Sequence, residues 1–401
     1  MILLLGQAMG ADEPWTDPGW GFGGLPAVNY NSDEGLGLGV VGSAYRYDGH
    51  TSPYKTAVNL VLFVSTKAVH THSLEVDALE LGDQPLRLTA RAAFDATKTG
   101  NYCGTGPAVT CDPAVAEAAA DALGLDGVAR DDFVRRYYRV RFLNPNAQVN
   151  LRWAIDPMPH RVELMFGWRA NAMIPGEFSD PDPFPGSLYA TDFPGGEQGL
   201  VSVAQVGVMV DDRDNEPAPI RGYWVDASVR GAHAVLLSDY DYVGFNVTLR
   251  GYAPVGTDRL VFADRVMFDG MSGDAHTLEL ATPGGTQRFA GFYGSLNGGR
   301  GIRQRRFVGK VKVLEQAELR WTFATFGVGG TTVDLGTLGF VDLGLVATDF
   351  GHLEQLGTLL PSTGGGLRIA LDQNFVVRAD VGVSPIEAWS PGVYIDLRNL
   401  F

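Results

Sequence analysis

The chain has 401 residues, a net charge of −15, a mean hydropathy of zero, 52 glycines, 14 tyrosines, 21 phenylalanines and two cysteines. The acidic balance excludes nucleic acid as a partner, because its phosphates would be repelled, and no run of about 18 apolar residues offers a membrane helix. Such a length suits two or three soluble domains or one large barrel. A membrane barrel needs no apolar run, since its strands alternate lipid-facing and lumen-facing residues.

The chain opens with the apolar residues Ile2, Leu3, Leu4 and Leu5, followed by Gly6-Gln7-Ala8 and Met9-Gly10-Ala11. Each of those triplets ends in a small residue suited to signal cleavage. Residues 1–20 therefore read as a signal-peptide remnant and short N-terminal segment, and 21–401 as one barrel domain. Period-two alternation then recurs almost everywhere. Leu86, Leu88, Ala90, Ala92 and Phe94 oppose Arg87, Thr89, Arg91 and Asp95. Val149, Leu151, Trp153 and Ile155 oppose Asn150, Arg152 and Asp156, and Val393, Ile395, Leu397 and Phe401 oppose Tyr394, Asp396 and Arg398.

Sixteen runs are predicted, at 26–32, 35–48, 54–66, 71–82, 85–95, 134–156, 160–173, 198–212, 219–232, 239–252, 257–268, 311–326, 335–347, 364–372, 374–385 and 391–401. Many are long enough for tilted membrane strands of about 9–11 residues. Their polar faces mix arginine with aspartate, as expected of a lumen where charges pair, and closure leaves no unpaired edge in lipid. The sixth run changes phase at Asn144-Pro145-Asn146, which predicts a bulge. Short connections at 83–84, 157–159, 253–258 and 372–373 fall on one side, and the long ones at 96–133, 174–197 and 269–310 on the other. That is the asymmetry of periplasmic turns and outer loops. Within 96–133 one helix is predicted, capped by Asp112, with Pro113 in its first turn and Gly124 at its stop.

The richest segment is Gly298-Gly299-Arg300-Gly301-Ile302-Arg303-Gln304-Arg305-Arg306, followed by two alternating runs. Those runs carry Glu318, and Asp342 within Phe340-Val341-Asp342-Leu343-Gly344, on the faces away from their apolar residues. An arginine needs such partners if it is to sit inside a barrel. This pattern resembles the BamA/TamA superfamily of bacterial outer-membrane barrels, also called the bacterial surface antigen family. In that family a long extracellular loop folds back into the lumen. An arginine–glycine pair at its tip is held by acidic residues on the next two strands. The resemblance covers about 25–401 and is strongest after 200. It makes Arg300 and Gly301 the loop tip, Glu318 the first carboxylate, and Asp342 with Gly344 the F-x-D-x-G signature. Gly299 and Ile302 depart from the pattern, since an aliphatic and an aromatic residue are usual there.

The resemblance implies an all-β, 16-stranded antiparallel transmembrane β-barrel with an inward-folded extracellular loop, in the bacterial outer membrane. The implied function is that of insertases and translocases, assisting assembly or passage of proteins at that membrane. The implied partners are outer-membrane lipid, client outer-membrane or secreted proteins and a periplasmic partner, with no enzymatic activity, cofactor or metal. The family's periplasmic POTRA domains are not expected, since only about 25 residues precede the first run. Its weakly paired seam would join 26–32 to 393–401, and Phe401 would serve as an assembly signal. Cys103 and Cys111 would form a disulfide in an oxidising compartment and remain free thiols in a reducing one. A passive channel or structural barrel is the alternative function, and a soluble secreted β-protein a third reading.

Other features point to less. Arg303, Arg305 and Arg306 suit the barrel mouth or acidic loop partners. Asp211-Asp212-Arg213-Asp214-Asn215-Glu216 lacks the glycine and glutamate spacing of a calcium loop and suits a polar turn. His70 and His72 alternate on one side of a predicted loop, and two ligands make a poor metal site. No nucleophile elbow, zincin or phosphate-loop motif is present.

Overall fold

Alternation decides which way each strand faces, and here the apolar residues face outward. The computed structural model describes residues 18–401 apart from 32–34, 52–53, 157–160, 177–183, 216–217, 286–292, 295–297, 329–330, 372–374 and 398–399. The described strands are β1 (Gly19–Asn31), β2 (Gly35–Tyr47), β3 (Thr56–Ser65), β4 (His70–Ala78), β5 (Leu86–Asn101), β6 (Arg139–Asp156), β7 (Arg161–Pro175), β8 (Gly199–Asp211), β9 (Gly222–Ala232), β10 (Tyr242–Pro254), β11 (Leu260–Gly273), β12 (Val311–Val328), β13 (Thr331–Ala347), β14 (Leu360–Leu371), β15 (Phe375–Val383) and β16 (Gly392–Leu397). Each pairs antiparallel with its neighbours in chain order, and β1 meets β16 to close the barrel.

The wall is an inverted core. Leu60, Leu62, Trp153, Phe166, Trp168, Val206, Leu249, Trp321 and Val341 are exposed on its outer face, while Arg230, Asp269, Arg300, Lys312, Glu318, Asp342 and Asp380 are buried within. In water that apolar girdle would be a large unsatisfied patch; in lipid it is solvated, and the charges pair across the lumen. Two acids interrupt it. Asp264 shares its face with the exposed Phe262 and Val266, and Glu315 with Val313 and Ala317, so both face outward. They lie on adjacent strands, with Glu315 opposite Val266 and Asp264 opposite Ala317.

The strand ends that the long connections after β5, β7 and β11 join lie at one end of the barrel, and those that the short connections after β4, β6, β10 and β14 join lie at the other. Helix α1 (Pro113–Ala122) is capped by Asp112, whose carboxylate accepts from Ala114 N–H, and Gly124 follows at φ +68°. Several expectations need correction. A second helix, α2 (Gly127–Arg136), occupies what the sequence suggested was the start of the sixth strand. Its apolar periodicity is weak, and an Arg130–Asp121 ion pair at 2.7 Å ties it to α1. No bulge occurs at Asn144-Pro145-Asn146, since Phe94 pairs with Pro145 in unbroken register; the shifts lie between Thr97 and Gly100 on β5 and between Ala154 and Asp156 on β6. Pro145 forgoes a ladder donor without adding a residue. The first strand starts at Gly19, before the run at 26–32, because its glycines dilute the alternation. His70 and His72 lie on β4, not in a loop, with ring centroids 5.8 Å apart. The signal-like residues 1–17 and Glu216 lie outside the described residues.

Candidate functional site: a clasped lumenal loop beside a short seam

The 274–310 connection turns down into the barrel, and its tip carries Arg300, fully buried. Asp342 on β13 takes three donors from Arg300: its N–H at 3.1 Å and Nε at 3.0 Å on Oδ2, and Nη2 at 2.9 Å on Oδ1. Nη1 donates to Glu318 Oε1 on β12 at 2.7 Å. It also reaches Asp380 Oδ2 on β15 at 3.3 Å, a third carboxylate that the sequence pattern did not nominate. The signal was present as Asp380 on the polar side of an alternating run, but nothing local linked it to residue 300. The guanidinium lies 3.4 Å from the centroid of the Phe340 ring, giving the aromatic of the F-x-D-x-G signature a role as a cation–π floor. One face of the cation is thus covered by a ring and each of its three nitrogens donates to a carboxylate, the condition under which a buried charge is tolerated.

The glycines of the motif make room. Gly301 has φ +99°, and a Cβ there would lie 2.5 Å from Val383 N. Gly344 is packed by Tyr293, whose ring a Cβ would meet at 2.8 Å. Tyr293 in turn donates to the carbonyls of Asp342, at 3.2 Å, and Leu360. Tyr293 is a further clasp residue that the sequence did not flag.

A second set of bonds holds the descending limb. Glu279 accepts from Tyr242 Oη at 2.7 Å, from Asn171 Nδ2 at 3.0 Å and from Arg169. Asp269 pairs with Arg230 at 2.9 Å and Lys312 at 3.0 Å and accepts from Gly284 N–H at 2.7 Å. Above the tip, Glu387 pairs with Arg303 at 3.3 Å and Arg306 at 2.5 Å, while Arg305 lies over the Phe142 ring at 4.9 Å. Cys103 and Cys111 are joined as a disulfide in the 102–138 connection, which bonds to the loop through Gly106 N–H and Val308 O at 2.8 Å. A cavity of about 190 Å³ remains between the loop and the β5–β8 wall, lined by Asn144, Asn146, Gln148, Asn171 and Gln205. Residues 212–215 follow β8 as a polar turn in which Asp214 Oδ1 accepts from the N–H groups of Asn215, Ile220 and Arg221.

The barrel closes through a short seam. Pairing of β1 with β2 runs without a break from Gly19↔Tyr47 to Asn31↔Gly35, whereas among the described residues β1 and β16 share only Tyr30↔Ile395 and Asn31↔Tyr394. Both pairs lie at the long-loop end, so among the described residues 19–29 have no strand partner on that side. Phe401 does not extend β16 along the lipid face, as its alternation suggested. The described strand runs to Leu397, and the Phe401 ring turns inward against Tyr252, Val261 and Ala263. Arg265 and Arg320 flank it at 5.1 Å each, and Arg320 Nη2 donates to its carbonyl at 3.0 Å. Two cations and an apolar patch outcompete an unpaired strand edge for that ring.

An apolar outer wall, a charged interior and an arginine-tipped loop clasped inside define a transmembrane β-barrel of the outer-membrane class. The Omp85 superfamily domain matches residues 164–385, which take in most of β7, β8 to β15 and the whole clasp, and the chain belongs to that superfamily. It is a bacterial outer-membrane protein. No curated protein is significantly similar to it in sequence. In fold it is similar to BamA from Haemophilus ducreyi lacking POTRA domains 1–3, with a TM-score of 0.56 and 12% identity over 95% of this chain and 70% of that one. It is also similar to CdiB from Escherichia coli, with a TM-score of 0.59 and 12% identity, covering 95% of this chain and 63% of that chain.

Proposed function

We propose that this barrel assists the insertion or passage of proteins at the outer membrane, with the β1–β16 seam as its working edge. Superfamily members are transporters and insertases, not classical enzymes, which supports a non-enzymatic reading. The observation that carries the proposal is the seam, where two residue pairs stand against the full-length pairing of β1 with β2. An unpaired strand edge is a template on which an extended client segment can add by β-augmentation. The partners on this reading are a client outer-membrane or secreted protein, the surrounding lipid and a periplasmic component that delivers the client. The clasp's role is to hold the loop in the lumen and keep the wall in shape while the seam opens. Phe401 would act as an assembly signal before its ring docks inside.

The test is a lock. Tyr30→Cys with Ile395→Cys joins the registered pair across the seam. The oxidised protein should stay folded yet fail to assemble client barrels in reconstituted bilayers, and reduction should restore activity. Undiminished assembly by the locked protein would exclude the seam as the working edge. A complete lack of activity in the unlocked protein would favour a passive channel or structural barrel.

A further inference from the structure

The part of β16 that closes the seam is the part that the loop tip grips. Tyr394 and Asp396 are its lumen-facing side chains, alternating with Val393 and Ile395. Tyr394 is almost fully buried, and its Oη accepts from Gly301 N–H at 2.9 Å. A Cβ at position 392 would lie 2.2 Å from that same oxygen, so Gly392 leaves the phenol its place. Asp396 Oδ2 accepts from Arg378 Nη2 at 3.1 Å, Arg378 Nη1 lies 3.5 Å from Asp380 Oδ2, and Arg300 Nη1 reaches that oxygen at 3.3 Å. Two routes, one direct and one through an alternating chain of charges, thus run from the tip to residues 394 and 396. The backbone pairs that join β16 to β1 are those of Tyr394 and Ile395.

We propose that clasp and seam are energetically coupled, with Tyr394 and Asp396 as positioning residues through which a docked loop tip holds the outer end of the seam closed. The inference rests on the seam being the working edge. Its physical basis is the sparse ladder between β16 and β1, two pairs among the described residues against thirteen between β1 and β2. A strand with so few ladder bonds depends on side-chain ties to keep its register. Withdrawal of the tip removes the Gly301 donor and the Arg300 end of the charge chain together. The seam pairs then remain without lumenal support. A ligand or client segment that displaced the tip would open the seam by the same linkage, and opening the seam would loosen the tip.

Hydrogen exchange of the full-length barrel in liposomes reads this without any client, so its outcome is separate from that of the assembly test. Tyr394→Phe removes one oxygen and keeps the ring. It should speed exchange in 392–397 and 19–31 by about five- to tenfold, the effect of losing one neutral hydrogen bond, and leave 161–175 and 199–211 unchanged. Asp396→Asn should act in the same place and direction. Combined with Arg300→Ala, Tyr394→Phe should add little, because the donor it lost has already moved away. Wild-type exchange in both single variants, an increase spread evenly over the barrel, or full additivity with Arg300→Ala would overturn the coupling.

Discussion

Arg300→Ala should destabilise the barrel mainly through one residue, Asp342, and that claim can be worked from the geometry. Removing a buried cation costs about 3–5 kcal/mol when it leaves an uncompensated charge. Of the three carboxylates that Arg300 serves, Glu318 keeps Arg320 Nε at 2.8 Å, and Asp380 keeps Arg368 and Arg378. Among the described residues, Asp342 keeps one side-chain hydrogen bond besides those from Arg300, from the neutral Gln316 Nε2 at 3.2 Å. The penalty should therefore sit at the low end of the range, about 3 kcal/mol, and most of it should vanish when the stranded charge is neutralised. Asp342→Asn alone should cost less, about 1–2 kcal/mol, since Arg300 retains two carboxylates. The double variant Arg300→Ala/Asp342→Asn should be more stable than Arg300→Ala alone by about 2 kcal/mol. Urea titration of the heat-modifiable folded band in liposomes measures all three, and protease added outside reports loop release in Arg300→Ala. A double variant as unstable as the sum of the singles would refute the reasoning, because it would mean that the stranded carboxylate was not the source of the cost.

Further outcomes follow from other parts of the molecule. Quantitative thiol labelling of unreduced, unfolded protein should find neither cysteine free. Cys103→Ser should cost the loop about 2–3 kcal/mol by releasing a short ring, seen as proteolysis within 102–138 with the barrel intact. Asp264→Ala and Glu315→Leu should each stabilise the barrel in bilayers by about 1–2 kcal/mol, because they remove acids from the lipid-facing wall; a lower urea midpoint would contradict their placement there. His276 accepts Leu278 N–H on Nδ1 at 3.0 Å, and its Nε2 faces Glu197 O at 3.3 Å, so the neutral ring carries its proton on Nε2. Burial pushes its pKa below 6.5, against the opposing pull of Glu197. A depressed histidine binds fewer protons folded than unfolded, so its cap is intact above about pH 6.5 and is lost as pH falls through the lower folded value. Cleavage within 274–285 should therefore rise on acidification in the wild type and stay level in His276→Asn; a flat wild-type profile would rule the cap out.

Strand faces were legible because a barrel in lipid must alternate, and alternation is written in adjacent residues. The outward run of Leu86, Leu88, Ala90, Ala92 and Phe94 needs no tertiary information. Arg300, Glu318 and Asp342 were legible for a related reason: the loop and the next two strands follow each other in the chain. What was missed lies where local pattern is weak or distance is long. Helix α2 is mostly polar, with Val128, Phe133 and Val134 as its large apolar residues, and its tie to α1 is the Arg130–Asp121 ion pair, which periodicity does not encode. Asp380 stands 80 residues from Arg300, and Tyr394 stands 93 from Gly301. Phe401 continued its strand's alternation and still turned inward, because the pull came from Arg265 and Arg320 on strands far away in sequence.

These misses have a common cause, and it bears on function. In a barrel the neighbours of a strand are fixed by chain order, so the wall is a local object. A loop that enters the lumen can touch any strand, and its contacts form a second network laid across the first. Here that network gathers β12, β13, β15 and β16 around the loop tip and ties β7, β10 and β11 to the descending limb. The wall joins β16 to β15 through six pairs and, among the described residues, to β1 through two. On the coupling proposed above, ties from inside the lumen would make up for that weaker side. The loop would then be more than a plug: it would set how readily the seam yields.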